Sequence, residues 1–298
     1  MLVFPMLAAS LVLWANPDKT GRHGLFSSLP LTPVDFQDSL DADSRGAKRR
    51  KRSRSKAHML AAPRSASTPH ESGDVCPSSD MVLIDRAYCI DPYEASLMQV
   101  NPDGSETPWP YYEVLPADVV VRAVSLPDVF PQGYISGLQA RAACERSGKR
   151  LCAPDEWRNA CMGPQRTVFP YGNQREPGRC NDNGRSSMHF LNPQLDDKPA
   201  HRWMWGAGGN MVDPRLNQMT GTLTRTGERE GCTNEYGVYD MVGNLHEWVE
   251  DPNGTFQGGY YLDTHVNGDG CNYRTTAHPM SHYDYSTGFR CCSDAASM

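Results

Sequence analysis

The chain has 298 residues, of which 39% are hydrophobic, 26 are Gly and 23 are Pro, a balance that suits one large loop-rich domain and argues against a helical bundle or a regular parallel sheet. Net charge is −6, yet Lys48, Arg49, Arg50, Lys51, Arg52, Arg54 and Lys56 put seven positive charges within nine residues; taking those seven away leaves about −13 on the rest. An acidic domain of that kind is a poor electrostatic match for nucleic acid and a better one for cations.

Residues 2–14 (LVFPMLAASLVLW) are an uncharged apolar run. They are too short to span a bilayer and have the character of a signal-peptide core, although no positively charged segment precedes them. The segment 1–17 is therefore read as signal-like, with no stable membrane span, and with no cysteine spaced for a lipid anchor. Residues 18–75 are rich in Ser, Pro, Asp and basic side chains and lack hydrophobic periodicity, which predicts a disordered linker. Its basic run is read as solvated linker, with a nuclear-localisation or polyanion-binding patch as the alternative.

Order is expected from near Met81, within a domain spanning 76–298. MVLIDRAYCID carries short runs rich in Val, Ile and Tyr that suit strands. Residues 101–112 (NPDGSETPWPYY) are turn-rich, and Val119 to Val124 reads as a further strand. The clearest helix begins at Ser136, a good N-cap, continues through helix formers and stops at Gly148. A second, shorter helix starts at Pro154, with Asp155 and Glu156 at the positive end of its dipole and Trp157 and Cys161 sharing a face. Beyond it the chain is predicted to be turns and short strands, without internal repeats.

Ten cysteines, nine of them between residues 89 and 292, predict disulfides and an oxidising compartment. The expected location is secreted or periplasmic; if residues 1–17 are not a signal, it is cytoplasmic, with buried free thiols.

Three segments carry a family signal. They are SGLQARAACERSGKRLCAPDEWRNAC at 136–161, NEYGVYDMVGNLHEWVED at 234–251, and FQGGYY at 256–261 followed by STGFRC at 286–291. In this order they resemble the sulfatase-modifying-factor domain of formylglycine-generating enzymes, over roughly 210 residues opened by MVLIDRAYCIDPYEAS at 81–96. The resemblance implies a compact, loop-rich α+β fold of the C-type-lectin-like kind.

It also implies calcium. One site would take carboxylate oxygens from Asp240 and Glu247 and backbone carbonyls from Gly243 and Leu245, a donor mixture typical for that ion. A second would use Asn181, the carbonyl of Asp182, Asn217 and the carbonyl of Met219, although NDNG is also ordinary turn chemistry. Formylglycine-generating enzymes further place two copper(I)-binding thiols shortly after the paired glycines. Here Asp263 stands at the first of those positions, and a hard carboxylate does not replace a soft thiolate. Cys271 is the one match to the second and so the candidate catalytic residue. Cys271 is also the implied disulfide partner of Cys161, as Cys144 is of Cys291. Cys152 with Cys292, Cys180 with Cys232, and Cys76 with Cys89 complete the arithmetic.

His278, His282 and Asp284 form an H-x3-H pattern plus a carboxylate that would suit a transition metal on a helix, but Pro279 opposes a helix there. The other reading is a polar, Tyr-rich loop lining a cleft, with Tyr260, Tyr261, Tyr273, Tyr283 and Tyr285 as aromatic contacts. His246 and His265 sit in matched segments without an assigned role. Two functions follow. One is a calcium-stapled, disulfide-rich module that binds peptide or saccharide. The other is an oxidase using copper, or iron as in relatives that draw their ligands from a separate helical domain, for which only Cys271, His278 and His282 would be available.

Overall fold

The computed structural model describes residues 75–188, 210–276 and 278–296. The apolar run at 2–14, the basic run at 48–56 and the rest of the linker to residue 74 lie outside the described residues.

Among the described residues, two α-helices (besides short 3-10 turns) and three small sheets give a mixed α+β arrangement. Strands β1 (Val82–Ile84) and β2 (Tyr88–Ile90) form a hairpin with a three-residue loop, in which Asp85 and Arg86 have positive φ and the Ala87 N–H closes the turn onto the Ile84 carbonyl. Strand β3 (Ala95–Val100) pairs on one side with β4 (Glu106–Pro108), through the turn-rich segment, and on the other with β5 (Val121–Ser125). The strand expected at 119–124 therefore starts two residues later, because Val119 closes a turn onto the Pro116 carbonyl.

Helix α1 (Gly137–Arg146) begins with a capping box. The Gln139 amide N–H donates to Ser136 Oγ, and the Ser136 N–H donates to Gln139 Oε1. It ends where Gly148, at φ 68°, lets the Gly148 and Lys149 amides bond back to the carbonyls of Glu145 and Cys144. After strand β6 (Arg150–Leu151), helix α2 (Pro154–Met162) opens with the Ala153 N–H donating to Glu156 Oε2 and buries Trp157, Ala160 and Cys161 on one face.

The remaining strands are short: β7 (His246–Trp248), β8 (Phe256–Gln257), β9 (Arg274–Thr275), β10 (Thr287–Phe289) and β11 (Cys291–Asp294). β11 lies between β2 and β6, while β10, β7, β8 and β9 form a second sheet in that order, β10 parallel to β7. So little regular structure is held by covalent bonds as well as by core packing. All ten cysteines pair, as Cys76–Cys89, Cys144–Cys291, Cys152–Cys292, Cys161–Cys271 and Cys180–Cys232. Three of these close loops of more than a hundred residues, where cross-linking typically stabilises by about 2–4 kcal/mol. Five disulfides indicate folding in an oxidising compartment. Among the described residues no helix is long and apolar enough to cross a membrane.

Candidate functional site

Strand β7 decides the layout of the site. Its three residues are buried and alternate in direction, so His246 and Trp248 face the Phe256 ring while Glu247 faces helix α2. The turn feeding it is forced into an unusual path. Asp240 and Asn244 have φ 58° and 56°, and Gly243 has φ 82°. A Cβ on Gly243 would stand 2.2 Å from the Asn181 carbonyl oxygen, so only glycine allows that approach.

On the inward face, Glu247 is fully committed. Arg290 donates to it twice, Nε to Oε2 at 2.6 Å and Nη2 to Oε1 at 2.7 Å, and Trp157 Nε1 donates to Oε2 at 2.7 Å. The guanidinium also donates to the carbonyls of Asp91, Pro92 and Tyr239. Beside this pair Glu94 accepts from Asn244 Nδ2 at 2.6 Å and from the Leu245 N–H at 3.2 Å, and Asp240 accepts from the Gly227 N–H at 2.7 Å. Three buried carboxylates thus share one buried cation. Burial, then the neighbouring charges of Asp240 and Glu247, push Glu94 well above the usual carboxylate range. Burial pushes Asp240 up to about 7.

The four residues Asp240, Gly243, Leu245 and Glu247 are brought into this one turn and strand, with the Glu247 carboxylate bonded to Arg290 and Trp157 and Asp240 bonded to the Gly227 N–H. A cation at Glu247 would have to displace Arg290 and Trp157 or share a carboxylate with a buried guanidinium. The second set also meets in space, and two of its backbone carbonyls accept hydrogen bonds. Asp182 O accepts from Arg175, Met219 O accepts from both the N–H and the hydroxyl of Thr222, and the Asn181 amide donates to Thr222 O and Asn244 Oδ1. The buried Asn217 Oδ1 has no hydrogen-bond partner. Among the described residues no three His, Cys, Asp or Glu side chains are grouped to hold a metal ion.

The outward face of β7 is different in kind. His246 lies among Phe256, Tyr260 and Tyr273, with ring centroids 4.6, 4.8 and 5.4 Å away. Burial holds it neutral, with a pKa lowered to about 4, and its Nδ1 has no partner. These rings, with Tyr285, Asp284 and His278, line a cleft of about 240 Å³. Asp284 is buried; although burial alone would raise its pKa, hydrogen bonds from His282 and from the Ser286 N–H and hydroxyl hold it below the usual range. His278 and His282 do not form a helical pair. The chain turns at Pro279, whose carbonyl accepts from the His282 N–H, and the two imidazoles stack with centroids 3.8 Å apart. Tyr283 is exposed and Tyr261 is buried, bonded to Ser187. His265 is exposed, with Nδ1 3.4 Å from Asp263.

The segment after the paired glycines is a tight loop. Gly258 and Gly259 have φ 83° and 75°, and a Cβ on Gly259 would meet the Asp263 carbonyl at 2.2 Å. Asp263 accepts from the N–H groups of His265 and Val266 and from the Tyr273 hydroxyl at 2.9 Å. Against the upward pull of partial burial, these bonds keep it an ionised carboxylate with a lowered pKa. Cys271, in the 3-10 turn at Gly270–Asn272, is buried in its bridge to Cys161 and carries no thiol.

The residues left without a role at the level of sequence are Glu94 and Arg290. Both lie inside the family-like segments PYEAS and STGFRC, and a charge flanked by Phe and Cys, as in GFRCC, is the pattern of a buried ion pair.

The chain is similar to known proteins in the same region. The sequence profile of the sulfatase-modifying factor enzyme 1-like domain matches residues 122–295. Inactive C-alpha-formylglycine-generating enzyme 2 from Bos taurus is 26% identical over 186 residues, covering 56% of this chain and 51% of that protein. Formylglycine-generating enzyme from Mus musculus is 28% identical over 122 residues, covering 41% and 27%. Among solved structures, PvdO from Pseudomonas aeruginosa superposes with a TM-score of 0.41 at 15% identity, over 70% of this chain and 80% of that one. The chain spans about half the length of the inactive enzymes it matches. With its helices, its glycine-paired loop and its buried Glu247–Arg290 pair all inside the matched region, the chain belongs to the sulfatase-modifying factor enzyme 1-like (FGE-sulfatase) domain family.

Proposed function

We propose that the domain is a disulfide-stapled, secreted binding module whose cleft holds peptide or saccharide, and not a formylglycine-generating oxidase. The pairing of every cysteine carries this reading. Oxygen chemistry at a substrate cysteine needs soft thiolate ligands for copper(I). Asp263 stands at one of the two positions, hydrogen-bonded into its own loop, and Cys271 is spent in the bridge to Cys161. The similarity to proteins named inactive formylglycine-generating enzyme 2 supports the same view.

The cleft around His246 has what recognition needs without chemistry: aromatic faces, a neutral imidazole and a hydrogen-bonded carboxylate. Calcium at the implied donor sets would staple the loops beside this cleft; of those donors Glu247 is held by Arg290 and Trp157, while Asn217 Oδ1 has no partner.

The test is to incubate the full chain with a cysteine-containing peptide, copper(I) and oxygen, alongside a thiol titration in denaturant. No aldehyde and no free thiol are expected. Asp263→Cys alone is expected to stay inactive while Cys271 remains bridged. Aldehyde formation by the unaltered chain would return the domain to the oxidases.

A further inference from the structure

The cleft beside His246 carries charge of a single sign. Phe256, Tyr260, Tyr273, Tyr285 and His278 stand in its wall with Asp284, and no Lys, Arg or further carboxylate is among the described residues that line it. Burial lowers the pKa of both His246 and His278, so neither brings a counter-charge at neutral pH. Behind the Tyr273 ring, the Asp263 carboxylate accepts from the tyrosine hydroxyl and adds negative potential. The neighbouring Arg274 is paired with Asp251. A carboxylate in an aromatic-walled recess favours a cation.

The hydrogen bonds narrow down which cation. Asp284 Oδ1 accepts from the N–H and the hydroxyl of Ser286, each at 2.7 Å, and Oδ2 pairs with His282 Nε2 at 3.0 Å. A carboxylate offers about four lone-pair sites, so most of this one is taken. The Tyr273 hydroxyl lies between Asp263 and Asn267, and the hydroxyls of Tyr260 and Tyr285 bond to each other. A primary ammonium, a guanidinium or a sugar brings several donors, each of which needs an acceptor once desolvated. A quaternary ammonium brings none, and is held by the carboxylate's field and by ring faces. The Tyr260 and Tyr285 rings, with centroids 6.0 Å apart, meet at 73° and so form a corner that suits a rounded group.

Size and rim describe the rest of the ligand. At about 240 Å³ the cleft is smaller than most sites that enclose a whole small molecule, so it takes a headgroup. Val212, Val266 and Tyr283, the chain neighbours of the lining residues Met211, Asn267 and Asp284, are exposed and put apolar surface beside the opening. A phosphate or carboxylate near the headgroup would meet Asp284 and Asp263 with no cation to answer it.

We propose that the cleft binds a trimethylammonium group at the end of an uncharged aliphatic stem, as on a trimethylated lysine of a peptide. The headgroup sits against Asp284 among the rings of Tyr260, Tyr273 and Tyr285, and the stem leaves over the apolar rim. This rests on the reading of the cleft as a binding site and selects peptide over saccharide.

The experiment is calorimetric titration of the full chain with four probes: acetyl-trimethyllysine methylamide, its unmethylated counterpart, the neutral analogue in which carbon replaces the ammonium nitrogen, and maltotriose. The trimethylated probe is expected to bind about tenfold or more tighter than either lysine analogue, the scale of a desolvated cation–π contact, and maltotriose not to bind. Tyr260→Phe keeps the ring and is expected to bind like the parent. Tyr260→Leu is expected to lose about tenfold in affinity. Absence of binding by the trimethylated probe would overturn the proposal. Equal affinity for the carbon analogue would do so by showing a merely apolar recess, and equal affinity for unmethylated lysine by showing a hydrogen-bonding site. Unchanged affinity in Tyr260→Leu would place the ligand outside the cleft and overturn it as well. Maltotriose binding in place of the trimethylated probe would sink this choice of ligand and leave the binding module standing, whereas aldehyde formation in the oxidase assay would sink the binding module itself.

Discussion

Two adjacent residues of β7, His246 and Glu247, look out on regions built on opposite terms. Behind Glu247 every polar contact is made within the chain: a bidentate guanidinium, an indole N–H, and neighbouring carboxylates held by backbone and amide donors. Before His246 the rings are packed loosely enough to leave a cleft, and the imidazole keeps a nitrogen unmet. A closed hydrogen-bond network fixes the fold, whereas an open one leaves interaction free energy for a ligand. Strand alternation lets three residues serve both ends without either region disturbing the other.

The contrast is most severely tested by removing the buried cation. Arg290→Met leaves Glu247, Glu94 and Asp240 without a counter-charge, and a loss of about 3–5 kcal/mol is expected in denaturant unfolding. A loss under about 1 kcal/mol would show that the cluster is not the structural side of the comparison. Next comes the Cys161→Ala/Cys271→Ala double variant. It is expected to lose about 2–4 kcal/mol while gaining no oxidase activity, because the bridge is structural.

The third change runs in the opposite direction. Asp240 has its pKa raised from 3.8 to about 7, so between those values the folded chain holds a proton that the unfolded chain has released. Its contribution is complete below pH 3.8 and is lost as pH rises through about 7. Asp240→Asn, which keeps an acceptor for Gly227 and suits the positive φ, is expected to stabilise by roughly 2 kcal/mol at pH 8 and hardly at all at pH 4, read from melting curves. Equal gains at both values would deny that the carboxylate is crowded.

The smallest effect belongs to the cleft. His246 has its pKa lowered from 6.5 to about 4, so as pH falls between these the unfolded chain takes up a proton that the folded chain refuses. Stability from this residue therefore declines with falling pH across that window. His246→Phe is expected to flatten this acid limb, with a gain of about 1 kcal/mol at pH 5 and little change at pH 8. An unchanged acid limb would mean that the imidazole is better hydrated than its burial implies.

The parts legible in sequence are those in which neighbours along the chain decide the outcome. Ser136 and Gln139 cap α1, Gly148 ends it, and Pro154 opens α2, each through bonds spanning a few residues. The spacing of the motifs located the turn at 240–247 and the paired glycines. What sequence could not reveal was which oxygens of that turn are already taken. Only the fold shows that Arg290, 43 residues on, holds Glu247, and that Glu94 joins the cluster from 150 residues before Asn244. The stacking of His278 on His282 in place of a helical pair follows from Pro279, a local cue that was legible.

By itself, then, the sequence determined the family, the two helices, the paired glycines and the replacement of a thiol by Asp263, since these rest on residue type and motif order. Tertiary structure decided the ownership of charges and of free acceptors: Arg290 for Glu247, nothing for His246 Nδ1 or Asn217 Oδ1. Those outcomes depend on which distant segments reach a buried atom first, and desolvation makes each such contact worth far more than its place in the chain suggests.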